Sequence, residues 1–382
     1  MKQASRRAAA VYALPALAGL ALLPFLDFRA NRIVSGDGVM LWAPEIGSPG
    51  GAAALAALIL GTVVIGAQAA RFALALAALA LLLWLAGQGG TALSAEAPQF
   101  ARVSLGGGFW IAAAFSALAA ADAAARLSLG ALARIAALAL PALGFGLALR
   151  AGLFDELSIL REYTANRDVF DAALGGHLRL VLGSLIPALL IGLPLGWLCF
   201  VGPRARAAIL PVLNLLQTTP SIAMFGLLMV PLGALSRAVP TLRDWGVGGI
   251  GAAPAIVALA LYALLPIVAN TYAGLTGVPE TMRDAGRGMG MSRARLLARV
   301  ELPLAAPVIL TGIRIVVVQN IGLAAVAALI GGGGFGTLVF RGMGQAAMDL
   351  VLLGTLPIVA LAILASLMFD AIIETTRRGG AR

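Results

Sequence analysis

The sequence predicts an all-α polytopic membrane protein with about ten transmembrane helices. Three observations lead there. Of 382 residues, 61% are hydrophobic and only 12% charged, with a mean hydropathy of +0.98; a water-soluble domain carries roughly 25% charged residues. The apolar residues fall in runs of about 20, the length that crosses the hydrocarbon core of a bilayer. Inside that core the backbone has no water to bond, so such runs must be helical.

In chain order the runs lie at 8–27, 51–70, 72–86, 107–124, 131–149, 178–201, 207–232, 251–270, 305–330 and 350–373. The first follows M-K-Q-A-S-R-R and imitates a secretory signal. It reaches Phe28 without a small-x-small cleavage site, so it reads as a retained span. The third is short, which tilting or an earlier start would remedy. Residues 1–150 thus form a five-helix membrane extension rich in Ala and Leu. Residues 151–177 are the most charged stretch and read as an external linker with a short amphipathic helix. Residues 178–376 add five spans punctuated by Pro, Gly and polar groups, and 377–382 form a basic tail. Function gathers where spans are broken and polar, which points to the second half.

Ten spans place both termini on one side. Lys2, Arg6, Arg7, Arg204, Arg206, Arg283, Arg287, Arg293, Arg295, Arg299, Arg377, Arg378 and Arg382 fall on that side, and most carboxylates fall on the other. The positive-inside rule then makes both termini cytoplasmic in a bacterial inner membrane. A net charge of +10 is accounted for by loop orientation and contact with anionic membrane lipid. With no basic patch interleaved with aromatics, nucleic acid is excluded as a partner.

Several chemistries are excluded by composition. Cys199 and His177 are the single cysteine and histidine, so no zinc cluster of His and Cys ligands can form. His177, at the mouth of the sixth span, reads as interfacial, with a proton relay as the alternative. Lys2 is the single lysine, and a phosphate-binding P-loop needs a lysine after its Gly-rich turn. The chain therefore hydrolyses no nucleotide by that route, and it is not read as an enzyme.

The most informative stretch is Asp284–Pro303, D-A-G-R-G-M-G-M-S-R-A-R-L-L-A-R-V-E-L-P, a basic loop between apolar runs. Pro279 suits a helix start, and Glu280 and Asp284 suit its positive N-terminal end. Gly290 is placed for a left-handed turn, and Ser292 can cap a second helix through Arg299. Leu296, Val300 and Leu297 share one side of it, with Pro303 interrupting it before the next span. The result is a helix–turn–helix knob with an apolar stripe in a basic surround. Docking of a partner and an incidental positive-inside loop both fit this pattern.

Asp284-Ala285-Gly286, three residues, Gly290, nine residues and then Val300-Glu301-Leu302-Pro303 resemble the E-A-A-x3-G-x9-I-x-L-P signature of ABC importer permeases. G-L-P-L-G (192–196), Q-T-T-P-S-I-A (217–223), L-Y-A-L-L-P-I-V-A-N-T-Y (261–272) and G-G-G-G-F-G (331–336) extend the likeness. Together they resemble the osmoprotectant branch, which carries glycine betaine, choline, carnitine and related quaternary ammonium compounds. The first 150 residues resemble the extension of its long-form members. Asp284 stands where the family has Glu, and Gly286 where it has Ala, a change that loosens a helix by roughly 1 kcal/mol.

The resemblance implies a type I ABC importer permease core in the C-terminal half, with loop 280–303 as the element gripped by a separate ABC ATPase subunit. The coupling residues would be Asp284, Ala285, Gly286, Gly290, Arg295, Val300, Leu302 and Pro303. It also implies that Mg-ATP sits on the ATPase and that this chain holds no cofactor. A periplasmic substrate-binding protein would select the solute, and a second permease copy or a paralogue would complete the pathway. Gln217, Thr218, Thr219, Asn270, Gln319 and Asn320 are candidates for lining that path, with interhelical hydrogen bonding as the alternative. Gly331, Gly332, Gly333 and Gly334 form a hinge or a plain external turn. Arg314 is expected to snorkel or to pair with Asp370. The core aromatics Trp197, Phe200, Phe225, Trp245, Tyr262, Tyr272, Phe335, Phe340 and Phe369 are too scattered for a cation cage. The alternatives are a permease for another small solute, such as an amino acid, and an ATP-independent secondary transporter. A membrane-embedded enzyme would need a cluster of titratable groups within the spans, which is missing.

Overall fold

Helices that satisfy their own amides dominate the computed structural model, as hydrocarbon requires. It describes residues 2–31, 34, 36–46, 49–95, 97–98, 100–127, 131–244 and 246–379, with the side chains of 2–7, 131–138 and 377–379 excepted. Trp245, Arg382 and the side chains of Lys2, Arg6, Arg7, Arg377 and Arg378 lie outside that description. Two units are present, Met1–Ala165 and Asn166–Arg382.

The first unit comprises α1 (Lys2–Leu22), α2 (Pro49–Val64), α3 (Gln68–Ser94), α4 (Gly107–Arg126), α5 (Ala131–Arg150) and α6 (Ser158–Ala165). The third expected span is 27 residues long, which removes the anomaly of its shortness. Leu20, Phe25, Leu55, Leu82, Leu85 and Phe109 are buried in its core. A small antiparallel sheet, unanticipated by the sequence reading, follows α1 and precedes α4. Its strands are β1 (Leu26–Arg29), β2 (Asp37–Val39) and β3 (Arg102–Leu105), in the order β2-β1-β3. The expected first span overran it. Pro24 has no amide to continue the helix, and Leu26-Asp27-Phe28-Arg29 alternates with the period of a strand. Leu26 and Phe28 turn to the core with Val103 and Leu105.

The second unit begins with α7 (Arg167–Val201), a single helix of 35 residues. The expected linker is thus shorter than 151–177, because 167–177 form the first turns of α7. Next come α8 (Pro203–Thr218), α9 (Ser221–Ala238), α10 (Thr241–Asp244), α11 (Ala252–Thr276), α12 (Glu280–Gly288), α13 (Arg293–Leu296), α14 (Leu302–Leu323), α15 (Gly336–Gly344) and α16 (Met348–Gly379). Two expected spans are broken. The run at 207–232 divides at Thr219-Pro220 into α8 and α9, since proline withholds the amide that would carry the helix through. The run at 305–330 ends α14 at Leu323 and resumes as a 3₁₀ segment, Val326–Ile330. The tail also begins later than expected, because α16 runs to Gly379.

Among the described residues, seven helices are long and apolar enough to cross a membrane. Three shorter apolar helices, Ala8–Leu22, Pro49–Val64 and Ala139–Arg150, coincide with the other expected spans. Small residues let the central helices of the second unit approach. A Cβ at Gly196 of α7 would lie 2.5 Å from Thr271 Cβ of α11, and one at Gly312 of α14 would lie 2.5 Å from Asn270 Cβ. Close contact of this kind supplies the packing that the hydrophobic effect cannot provide between helices in lipid.

Candidate functional site: the loop between α11 and α14

Two short helices meet at Gly290, whose φ of +73° belongs to the left-handed region. No atom lies within 4 Å of a Cβ built there, so backbone conformation rather than space demands glycine. Ser292 Oγ accepts the Arg295 backbone N–H at 3.4 Å, a loose N-cap on α13. Gly286 is buried, and a Cβ there would meet Leu296 Cδ1 at 2.5 Å. The glycine that weakens α12 is therefore the seat on which Leu296 packs.

Pro303 does not interrupt the helix, contrary to expectation. Residues Leu297–Glu301 widen into a π-helical turn directly before α14, and the chain stays helical from Arg293 to Leu323. Leu302 N–H donates to Leu297 O five residues back. A π turn loosens the ladder where the proline lacks its own donor.

The centre of the loop is Arg283, which the sequence reading counted only as a topology charge. Its Nε donates to Glu301 Oε1 at 2.9 Å, Nη1 to Glu280 Oε2 at 2.8 Å and Nη2 to Leu275 O at 2.6 Å. Its guanidinium carbon stands 5.3 Å from the centre of the Phe200 ring. Arg283 and Glu301 are both buried. One guanidinium thus joins the ends of α7 and α11, the start of α12 and the threshold of α14. Burial opposes its charge, but the Glu280 and Glu301 carboxylates outweigh that and hold its pKa above the ordinary value. Hydrogen bonds from Arg283, then from Arg287, hold the Glu280 carboxyl below its usual range. The legible signal was Glu301 itself, a carboxylate between Val300 and Leu302 where a span begins.

Outward, the loop shows Asp284, Ala285 and Arg295, with Asp284 accepting from Arg287 Nη1 at 2.9 Å. Val300 is half-buried, whereas Leu302 and Pro303 are exposed. Met282 and Met289 are 50% and 70% exposed. Two flexible apolar side chains on a charged knob outside the spans make an adaptable contact surface.

Residues 188–378 match the family described as binding-protein-dependent transport system inner membrane component. Residues 5–160 match the family described as ABC transporter permease YehY, N-terminal domain. The osmoprotectant import permease protein OsmW of Salmonella typhimurium is 44% identical over 188 residues, which are 49% of this chain and 82% of that protein. This chain is an ABC importer permease.

Its relatives include two more permeases of the same branch, each 37% identical over 187 residues. The choline transport system permease protein OpuBB of Bacillus subtilis is matched over 49% of this chain and 79% of its own length. The carnitine transport permease protein OpuCB of Listeria monocytogenes is matched over 49% and 78%.

The remaining candidate residues of the permease fall in three places along α11. At the break between α8 and α9, Tyr262 Oη donates to Thr219 O at 2.6 Å, and Gln217 Nε2 approaches Tyr262 O at 3.5 Å. Thr218 and Thr219 donate their hydroxyls to Leu215 O of their own helix. Further along, Asn270 Nδ2 donates to Pro266 O at 2.8 Å. Asn320 is fully buried and donates to Ser184 Oγ at 2.9 Å, linking α14 to α7. Gln319, beside it, is half-buried. Arg314 pairs with Asp370, as expected.

His177 is fully buried, not interfacial. Its Nε2 lies 3.0 Å from Ile321 O near the end of α14, where the helix no longer supplies a donor. The glycine run packs on it: a Cβ at Gly334 would meet His177 Nδ1 at 3.1 Å. Gly331, Gly333 and Gly334 have φ of +77°, +79° and +77°, and Gly332 fits against Ala327 O. The run is a packed turn against α7 and not a plain external one.

Proposed function

We propose that this permease is the membrane subunit of an ATP-driven importer for quaternary ammonium osmoprotectants such as glycine betaine, choline or carnitine. The loop geometry carries the reading. An ATPase subunit grips the exposed side around Met282, Ala285 and Met289, and displacement of α12 is delivered through Arg283 to α7, α11 and α14. Mg-ATP is held and hydrolysed by that partner. A separate binding protein selects the solute, in keeping with the scattered aromatics of this chain. A second permease copy or a paralogue supplies the other half of the pathway, and both termini face the cytoplasm, where the ATPase meets the loop. The relatives named for choline and carnitine transport support the solute class.

The test is uptake of labelled glycine betaine into proteoliposomes holding this chain, its ATPase and its binding protein, with and without ATP. Accumulation that needs both ATP and binding protein is expected. Stimulated hydrolysis without betaine uptake would retain the importer and reject the solute. No coupling to an ATPase would overturn the assignment of the loop.

A further inference from the structure

The face of the small sheet opposite its core side presents an electrostatic problem. Arg29 of β1 and Arg102 of β3 are direct cross-strand partners, so both side chains stand on one face, with Cβ atoms about 5 Å apart. That face lies opposite Leu26, Phe28 and Val103, which enter the core. Neither guanidinium has a hydrogen-bond or ion-pair partner among the described residues, and the Nε of each is buried without one. Asp27, the carboxylate on the same face, is engaged in an interaction of its own. Directly opposed like charges destabilise a strand pair, and half-buried ones with closed-off donors do so more.

The surroundings indicate what resolves it. Arg102 lines an open, mainly polar cleft of about 860 Å³ between β3 and α6. The cleft's carboxylates are Asp155 and Glu156; Arg161 holds Glu156, and neither carboxylate bonds Arg102. The sheet directly follows α1 and directly precedes α4, which puts it at the level where apolar helices leave hydrocarbon. Trp42 and Phe100, near β2 and β3 in the chain, are 50% and 74% exposed, as suits aromatic anchors in the interfacial belt. Phosphate oxygens are the abundant oxyanions at that depth, and two adjacent guanidiniums match them with forked donors.

We propose that Arg29 and Arg102 form an oxyanion site on the first unit that takes a phosphate group, drawn from an anionic phospholipid head group at the membrane boundary or from soluble phosphate. The site is independent of the import reading. It concerns the N-terminal extension, which the coupling loop leaves without a role.

The full-length protein in detergent is melted alone, with short-chain phosphatidylglycerol, and with inorganic phosphate. The wild-type melting temperature should rise by several degrees, and Arg29→Gln/Arg102→Gln should abolish the rise. A rise with the lipid alone identifies the head group; a rise with inorganic phosphate too identifies a general oxyanion site. Equal rises in wild type and double variant, or none in wild type with either probe, would overturn the proposal. Should the double variant fail to fold, Arg29→Gln alone decides. Relief of repulsion should leave its ligand-free melting temperature at or above wild type and weaken the response to ligand. A lower ligand-free temperature would show that the guanidinium is already satisfied and would also overturn the site.

Discussion

Replacing Arg283 by Met removes one guanidinium and strands one carboxylate. Glu301, whose side chain is 10% exposed, would be left buried with no cation. Breaking a buried pair from one side costs about 3–5 kcal/mol, most of it the desolvated partner. The lost charge-assisted bond to Leu275 O falls within that range and is not additional to it. Arg283→Met/Glu301→Leu removes both charges, and filling the site with apolar volume should recover most of the loss. Stability is read from thermal melts of the purified protein, and coupling from the ratio of ATP hydrolysed to solute accumulated in proteoliposomes. The double variant separates the two roles: it should melt near wild type yet hydrolyse more ATP per solute, because the tie between α12 and the spans is gone. A single variant within about 1 kcal/mol of wild type, or a double variant with unchanged stoichiometry, would refute the reasoning.

Four further outcomes are expected. Gly290→Val forces a β-branched residue into the left-handed region at a cost of roughly 1–2 kcal/mol, and should uncouple ATPase activity from uptake while leaving membrane expression intact. Gly336→Ala puts a Cβ 1.8 Å from Ala325 O; a backbone oxygen cannot swing aside, so a loss near the upper end of the usual overpacking range, about 3 kcal/mol, should appear in thermal melts. His177→Phe leaves the Ile321 carbonyl unpaired in the core and should cost about 1–3 kcal/mol, with unchanged melting counting against the observed bond. The Glu280 carboxyl is depressed in the folded loop, so its contribution is complete above the unfolded value of 4.5 and is lost as pH falls through the lower folded value. Hydrogen exchange of α12 should accelerate over that acid range, and Glu280→Gln should remove the effect.

Periodicity and length made the spans legible, because lipid solvation acts on every residue of a run at once. Gly290 and Ser292 were legible for a similar reason, since a left-handed turn and an N-cap are local requirements. Arg283 was not: two of its three partners lie 8 residues before it and 18 after it, and the local one, Glu280, is shared with Arg287. His177 was misplaced because a polar residue near a span end reads as interfacial until α14 is seen to stop beside it. The strands were hidden because three or four residues of alternation vanish inside a 20-residue hydropathy window. The chain breaks at Pro220 and Leu323 show the same blindness, since mean hydropathy carries no information about where the ladder of amides ends.

The π-helical turn at Leu297–Glu301 fixes an azimuth. In an uninterrupted α-helix, Leu296 and Ala305 would point in opposite directions, nine residues being two and a half turns. The wider turn takes back about 100°, and both side chains face the protein interior. The spacing from Gly290 to Val300 is therefore an angular setting as much as a length. Deleting one residue from 297–299 would let the turn close as ordinary α-helix at nearly the same azimuth, since eight residues turn through about 80°. Straightening the turn with every residue kept would instead swing the knob by about a quarter of a revolution around the axis of its own span.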